Sequence, residues 1–240
     1  ALIKLKEFRK SDKKEFVLSG AGGTGKTYLL RKLFERRKPG KKKETFVPST
    51  ILGIAVTHQA VLNLSKYIPN SKTYASAVDL KMEFDFNGNI YFIPRHGKLY
   101  YNEIRKYKEI VIDECSQFSE EMMLIISKSI REDAKVYYVG DEKQLPPIGI
   151  TNDKDSPTFN IKDKFILTDK IRQKEGEYIP ELCDYVRERI DTDNDLSFIK
   201  NLKRKYNAKT KKWYSISNEK SVIQSYVKNF KEGNDVRITA

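Results

Sequence analysis

The stretch Gly20-Ala-Gly-Gly-Thr-Gly-Lys26-Thr27 decides the fold of this chain, because it fits the phosphate-loop pattern G-x-x-x-x-G-K-[ST]. Before it, Glu15-Phe-Val-Leu-Ser19 has the apolar run of a short buried strand. After it, Tyr28-Leu-Leu-Arg-Lys-Leu-Phe34 has helical apolar spacing. A strand, a glycine-rich turn and a helix are the context that the motif requires. A glycine-rich loop that only turns the chain would not account for the full motif in this context.

The residue types of the loop match a nucleoside triphosphate and its metal ion. The glycines allow backbone N–H groups to converge on phosphate oxygens, and the helix that follows adds its positive N-terminal end. The lysine places a charge on the β- and γ-phosphates, and the threonine hydroxyl is a ligand for Mg²⁺. The predicted binding residues are Gly22, Gly23, Thr24, Gly25, Lys26 and Thr27.

The composition favours a globular, intracellular chain with a polyanionic partner. Its 240 residues are 39% hydrophobic, enough for one large or two medium domains, and carry a net charge of +13. A lysine-rich proteome would also produce this charge. Cys115 and Cys183 lie far apart without metal-ligand spacing, which predicts reduced thiols and argues against zinc. Neither a membrane span nor a signal peptide is evident, so we expect a cytoplasmic location, or the nucleoid or host cytoplasm if a phage encodes the chain.

A second strand and helix follow the loop. Ile51-Leu-Gly-Ile-Ala-Val56 is typical of a buried strand, and residues 60–66 have helical spacing. Thr57 and His58 lie between them, at the carboxyl end of a strand, where the functional groups of parallel sheets gather. His58 could simply start the helix, or it could contact a bound nucleic-acid strand.

The region from about residue 72 to residue 107 interrupts this alternation of strands and helices. Met82-Glu-Phe-Asp-Phe-Asn-Gly-Asn-Ile-Tyr-Phe-Ile93 alternates around Asn87-Gly88, a strong hairpin signal. Its aromatic residues include Phe84 and Phe86. They could form the core of a small self-packed subdomain, or they could be a wedge or stacking surface for bases.

Two carboxylates end the next predicted strand. Lys108-Glu-Ile-Val-Ile-Asp113-Glu114 has the form of a Walker B element. Asp113 can hold Mg²⁺ through water, and Glu114 can accept a proton from the attacking water. Two adjacent carboxylates need a cation or solvent, so we assign this pair to the same site as the phosphate loop.

A proline-containing loop follows one more strand. Gly140-Asp141-Glu-Lys-Gln144-Leu-Pro-Pro147 cannot continue as a strand or helix, because two prolines end it. The neutral amide of Gln144 can donate a hydrogen bond to a γ-phosphate, although it could equally be a surface residue. Beyond it we divide the chain into residues 1–164, a first α/β domain with the hairpin insertion, and residues 165–240, the beginning of a second domain.

The order of these motifs resembles that of the superfamily 1 DNA helicases, in particular the 5′→3′ branch that is called Dda/RecD-like. Residues 20–27 are similar to motif I, Ala55-Val-Thr-His-Gln-Ala60 to motif Ia, Thr73-Tyr-Ala-Ser76 to motif Ib and Val111-Ile-Asp-Glu-Cys-Ser116 to motif II. Residues 140–147 are similar to motif III and Leu167-Thr-Asp-Lys-Ile-Arg-Gln173 to motif IV. The Gly-Asp-x-x-Gln-Leu-Pro-Pro sequence is the most diagnostic of these.

The resemblance implies a RecA-like P-loop NTPase: an α/β fold with a parallel sheet, an inserted β-hairpin subdomain and the start of a second RecA-like domain. ATP and Mg²⁺ are the implied cofactors. In this family Gln144 would sense the γ-phosphate, Arg172 would stabilise charge from the domain junction, and the hairpin would split the duplex. The implied residues are Glu114, Lys26, Gln144 and Arg172 for catalysis, Thr27 and Asp113 for the metal, and Thr57, His58, Thr73, Phe84 and Phe86 for DNA.

The implied function is an ATP-dependent DNA helicase or translocase. It would act as a monomer on single-stranded DNA and duplex junctions, beside replication or recombination proteins. The alternatives are a nucleotide-switched or idle nucleic-acid-binding fragment, and a small-molecule kinase, which the lack of an arginine-rich lid disfavours. Ala75 stands where motif Ib usually has His, no Gln precedes Gln59 to read adenine, and the later helicase motifs do not occur, so we expect a fragment truncated at both ends.

Overall fold

The computed structural model of this protein describes residues 1–37, 45–87, 90–95, 103–147, 156–169 and 187. In these ranges the helices are α1 (Leu2–Lys10), α2 (Lys26–Phe34), α3 (His58–Ser65), α4 (Tyr74–Ala77) and α5 (Glu120–Ser129). The strands are β1 (Glu15–Gly20), β2 (Arg36–Arg37), β3 (Thr45–Phe46), β4 (Ile51–Ala55), β5 (Ser71–Thr73), β6 (Leu80–Phe84), β7 (Ile90–Pro94), β8 (Glu109–Asp113), β9 (Lys135–Gly140) and β10 (Lys164–Leu167). Three 3₁₀ turns span Glu103–Lys106, Cys115–Gln117 and Pro157–Asn160. None of the described helices is long and apolar enough to cross a lipid bilayer.

The central element is a six-stranded sheet with the order β10-β1-β9-β8-β4-β5. Every neighbouring pair in it is parallel. The carboxyl ends of all six strands therefore lie at one edge, and the loops that follow β1, β9 and β8 are neighbours there. The predicted α/β fold with a parallel sheet is confirmed.

Alternating residues of the strands fill two separate hydrophobic cores, one on each face of the sheet. Ile110 and Ile112 of β8 pack in one core with residues of α4 and α5. Val111, between them, packs in the other core with residues of α1, α2 and α3. Because both faces are covered, these strands have continuous apolar runs in the sequence, which is why their positions were predictable.

Helix α1 is fixed to the sheet by an ion pair that no sequence pattern indicated. Arg9 donates to the carboxylate of Glu109, at the amino end of β8, and also to the carbonyl of Leu33 at 2.9 Å. The hydroxyl of Tyr137 donates to the other oxygen of Glu109 at 2.9 Å. The guanidinium also lies 5.3 Å from the centroid of the Phe34 ring. The ion pair thus ties α1, the end of α2 and two strands together at the amino end of the sheet.

The predicted hairpin is present as an antiparallel pair of strands outside the main sheet. Its register runs from Leu80 opposite Pro94 to Phe84 opposite Ile90, and its turn falls partly outside the described residues. The insertion begins later than residue 72, because β5 pairs with β4 in the main sheet. Leu80, at the base of the hairpin, is buried in the core that contains Ile112.

The domain boundary predicted at residue 164 is corrected by the position of β10. This strand pairs with β1 from Lys164 opposite Val17 to Leu167 opposite Gly20, so it belongs to the first sheet. Contacts divide the chain into one unit of Ala1–Pro180 and another of Glu181–Ala240. An apolar run in the sequence predicts a strand, but it does not indicate the sheet to which that strand belongs. Arg172 and nearly all of the residues after it lie outside the described residues, and the second RecA-like domain stays a prediction.

Candidate active site

The loop between β1 and α2 has a backbone that suits phosphate binding. Gly23 and Gly25 have φ angles of 81° and 89°, in the left-handed region that residues with side chains rarely adopt. Gly25 is the N-cap of α2, so the unpaired N–H groups of the first helical turn lie at the loop. Thr24, only 1% exposed, closes the loop by donating to the carbonyl of Ala21 at 2.8 Å. Beside Gly22, a Cβ would meet no atom within 4 Å, so there is open space over the loop.

The ammonium group of Lys26 lies against the loop. Its Nζ donates to the carbonyl of Gly20 at 2.6 Å and to that of Ala21 at 2.9 Å. Burial raises the pKa of Asp113, and the charge of Lys26 opposes this rise. Lys26 therefore lies at the end of β1, and its charge acts on the carboxylate at the end of β8.

The two carboxylates at the end of β8 are partly withdrawn from water. Burial raises the pKa of Asp113, although the Glu114 N–H, which donates to its Oδ1 at 3.0 Å, and the Lys26 charge oppose this. Burial also raises the pKa of Glu114, and the charge of Asp113 raises it further. Buried, adjacent carboxylates favour a bound cation, and oxygen atoms are the ligands that Mg²⁺ prefers. The donor chemistry of Asp113 thus fits a magnesium ion, and the Thr27 hydroxyl as a second ligand stays a prediction.

Glu114 has an unusual backbone conformation. Its φ of 54° and ψ of 43° lie in the left-handed region, although it is not glycine. The turn Cys115–Gln117 begins directly after it, and the N–H of Gln117 donates to the Glu114 carbonyl at 3.1 Å. Strain of this kind persists only where the surroundings impose it, and it occurs often at functional sites. No pattern in the sequence indicated it.

The loop after β9 brings Gln144 to the same edge of the sheet. Asp141, 3% exposed, accepts from the Lys143 N–H at 3.1 Å, and its carbonyl accepts from the Gln144 N–H at 3.0 Å. These bonds shape a turn in which the Gln144 side chain is exposed. Because β9 lies between β1 and β8, the loop is flanked by the phosphate loop and the two carboxylates. Asp141, to which the sequence analysis gave no role, is the buried residue that forms this turn.

The predicted DNA residues on the next two strands begin helices. Thr57 is the N-cap of α3 and accepts from the Ala60 N–H at 3.1 Å, and Thr73 is the N-cap of α4 and accepts from the Ser76 N–H at 3.3 Å. His58 is the exposed first residue of α3. Both threonines thus have a structural role, and contact with DNA stays a prediction for all three residues.

The aromatic residues of the hairpin are exposed rather than packed. Phe84 is 59% exposed, Tyr91 is 46% exposed and Phe86, just beyond the end of β6, is fully exposed. A self-packed core formed by these three side chains is therefore excluded. They are available as a contact surface.

The fold and the loop together define a RecA-like phosphate-loop domain. The chain belongs to the AAA domain family, whose model matches residues 7–150. It is also similar to an uncharacterized protein of Acanthamoeba polyphaga mimivirus, with 31% identity over 206 residues. That match covers 77% of this chain and 40% of the viral protein, so the chain spans less than half the length of this relative.

Two solved helicase structures have the same fold. The Pif1 helicase from Bacteroides, in complex with ADP-AlF3 and ssDNA, matches with a TM-score of 0.56 and 18% identity, over 98% of this chain and 57% of that chain. The Pif1 helicase from Candida albicans matches with a TM-score of 0.51 and 19% identity, over 78% of this chain and 43% of that chain. With the family match, these likenesses confirm the predicted RecA-like fold.

Proposed function

We propose that this chain is the ATP-binding part of a DNA helicase or translocase that moves 5′→3′ on single-stranded DNA and unwinds duplex junctions. The observation that carries the proposal is the convergence of Lys26, Asp113, Glu114 and Gln144 at the carboxyl ends of three adjacent strands. Similarity to Pif1 helicases, one of them in complex with ADP-AlF3 and ssDNA, supports the assignment of substrate and partner.

In the proposed mechanism, the loop binds the triphosphate through its backbone N–H groups, and Lys26 exchanges its two carbonyl partners for phosphate oxygens. Mg²⁺, which Thr27 and Asp113 would hold, supplies positive charge beside the β- and γ-phosphates when it is bound. Binding thus fixes the γ-phosphate next to the end of β8.

Glu114 then acts as the general base. It accepts a proton from a water molecule, whose oxygen attacks the γ-phosphorus while the bond to the bridging oxygen breaks and ADP leaves. Gln144 contacts the γ-phosphate and transmits its presence or absence to the loop that follows β9. Arg172, beyond the described residues, is proposed to stabilise the developing charge from the domain junction.

DNA would bind across the carboxyl edge of the sheet and on the hairpin. Thr57, His58 and Thr73 lie at the ends of β4 and β5, the two strands beyond β8. Phe84 and Phe86 offer exposed rings on which unpaired bases can stack. Contacts with phosphates would make binding weaken with salt and largely ignore sequence.

Single-stranded DNA is expected to stimulate ATP hydrolysis by this chain, because a translocase couples hydrolysis at its nucleotide site to movement along bound DNA. The measurement is steady-state ATPase activity with and without an oligonucleotide, at low and moderate salt. Stimulation that declines as salt releases the DNA would support the proposal. Salt-sensitive DNA binding and Mg-dependent nucleotide binding without hydrolysis would instead favour a nucleotide-switched binding protein.

Removing an exposed ring from the hairpin is expected to weaken DNA binding without affecting stability. Phe86→Ala and Phe84→Ala should each lower the affinity for a single-stranded oligonucleotide by about 5- to 150-fold, the range for loss of one base-stacking contact. Fluorescence anisotropy with a labelled oligonucleotide measures this. Leu124→Ala, which removes a half-exposed apolar side chain from α5, is the control. Unchanged affinity for the oligonucleotide in both phenylalanine variants would show that the hairpin is not part of the DNA-binding site.

A further inference from the structure

The turn that follows Glu114 is held by two hydroxyl groups from a distant part of the chain. Ser156 Oγ lies 2.8 Å from the carbonyl oxygen of Cys115 and 2.6 Å from that of Phe118. Thr158 Oγ1 donates to the same Cys115 carbonyl at 3.3 Å. The two hydroxyl oxygens are 2.9 Å apart, and the Thr158 N–H donates to Ser156 Oγ at 3.4 Å. The two residues form one connected group on the turn.

This group is buried and joins residues that are far apart in sequence. Ser156 is 2% exposed and Thr158 is 0% exposed, and the carbonyls belong to residues that are themselves buried. Sequence separations of 38 to 43 residues show that the contacts are tertiary rather than a local cap. Water cannot easily replace a lost donor at such a site, so the turn depends on these two hydroxyls for its geometry.

A second constraint acts on the same turn. At Gly140, the end of β9, a Cβ would lie 2.7 Å from Cys115 Sγ and 3.1 Å from the Cys115 nitrogen. The backbone of β9 therefore packs directly against the turn, which only glycine permits. Gly140 also begins the loop that carries Gln144, so the turn after Glu114 contacts both that loop and the segment of Ser156 and Thr158.

The segment that carries the two hydroxyls continues into β10. Phe159 packs in the core that contains Val17 and Ile112, and the chain then enters β10 at Lys164. Since β10 and β8 lie at different positions in the sheet, with β1 and β9 between them, this segment crosses one face of the sheet to reach the turn. Packing on that face anchors the hydroxyls.

We propose that Ser156 and Thr158 are positioning residues for Glu114. By holding the Cys115 and Phe118 carbonyls, they keep Glu114 in its left-handed conformation and fix the place from which its carboxylate accepts the proton. This inference rests on the proposed function of Glu114 as general base. The described side-chain hydrogen bonds of both residues go only to the turn and to each other, so they set the rate of the chemical step rather than nucleotide affinity.

The test compares variants that lose a hydroxyl with one that keeps it. Ser156→Ala and the nearly isosteric Thr158→Val should each lower kcat for DNA-stimulated ATP hydrolysis, on the order of tenfold or more, because small misplacements of a reacting group slow the reaction strongly. KM for ATP should change by less than about twofold, since binding contacts are untouched. Thr158→Ser, which retains the hydroxyl, should recover most of the lost kcat.

A matched control loses a hydroxyl-to-carbonyl bond elsewhere. Ser71 Oγ donates to the Ile68 carbonyl at 2.6 Å, and Ser71→Ala should leave kcat unchanged. Amide hydrogen exchange gives a readout that does not need turnover. The N–H groups of Gln117 and Phe118, which bond to Glu114 and Cys115, should exchange faster in Ser156→Ala than in the wild type.

The outcomes separate this inference from the function on which it rests. Any of three results would overturn the positioning role. The first is wild-type kcat in both Ser156→Ala and Thr158→Val, and the second is unchanged amide exchange at the turn. The third is a rise in KM that accounts for the whole loss of kcat/KM. Faster exchange at the turn in Ser156→Ala, together with no ATP hydrolysis by the wild-type chain, would show that the hydroxyls hold the turn but that the proposed function of Glu114 is wrong.

Discussion

Glu114→Gln is expected to lower kcat for ATP hydrolysis by roughly two to four orders of magnitude, the usual contribution of a general base. The amide has the shape of the carboxylate but cannot accept the proton of the attacking water. Because the backbone of residue 114 is held by the turn Cys115–Gln117, glutamine should adopt the same left-handed conformation. Nucleotide affinity should remain close to that of the wild type, since the loop supplies the phosphate contacts.

Two measurements are needed for this variant: steady-state ATP hydrolysis with single-stranded DNA, and equilibrium binding of a fluorescent ATP analogue. Glu7→Gln makes the same chemical change at an exposed position on α1 and should behave as the wild type. Wild-type turnover in Glu114→Gln would eliminate Glu114 as the base. Loss of nucleotide binding together with turnover would instead show that Glu114 supports the structure of the site.

Lys26→Ala is expected to weaken Mg-ATP binding by roughly 2–5 kcal/mol, the cost of removing one member of a close charge pair. This corresponds to an increase in Kd of about 30- to 5,000-fold. The ammonium already lies at the loop, against the carbonyls of Gly20 and Ala21, so it needs only a local movement to reach a phosphate. Without the ammonium group, only the backbone N–H groups of the loop would contact the phosphates.

The folded state should tolerate this substitution. Lys26 is only partly buried, so the loss of its bonds to two carbonyls should lower the unfolding free energy by roughly 1–3 kcal/mol. Titration calorimetry gives the affinity and urea unfolding the stability. Lys66→Ala, at an exposed lysine that donates to Asn63, is the control. An unchanged Kd for Mg-ATP would mean that the loop does not bind the triphosphate as proposed.

The likeness to Pif1 helicases bears on how such experiments are interpreted. This chain spans 57% of the Bacteroides protein and 40% of its viral relative. The first RecA-like sheet, with the loop and the carboxylates, lies within the described residues. Arg172, which we propose as the charge-stabilising arginine, lies outside them. A comparison of variants within the same chain is therefore more informative than a comparison of its absolute turnover with that of a longer relative.

The amino-acid sequence by itself determined the elements whose signals are local. Glycines at positions 23 and 25, followed by Lys26, specify the phosphate loop, because only glycine readily takes positive φ there. Apolar runs of strand length specify buried parallel strands. Polar residues that end such a run, such as Asp113, are thereby placed at the carboxyl end of a strand. Asn87-Gly88 specified the hairpin. Each of these signals depends on neighbours within a few residues.

Tertiary structure alone decided the features that join distant residues. The same apolar pattern at residues 164–167 would suit either domain, and only pairing with β1 assigns it to the first. The contact of Arg9 with Glu109 spans 100 residues, and the bonds of Ser156 span about 40, so neither has a local signature. The left-handed conformation of Glu114 belongs to this class too, because the turn after it is bonded to Ser156 and Thr158, about 40 residues away.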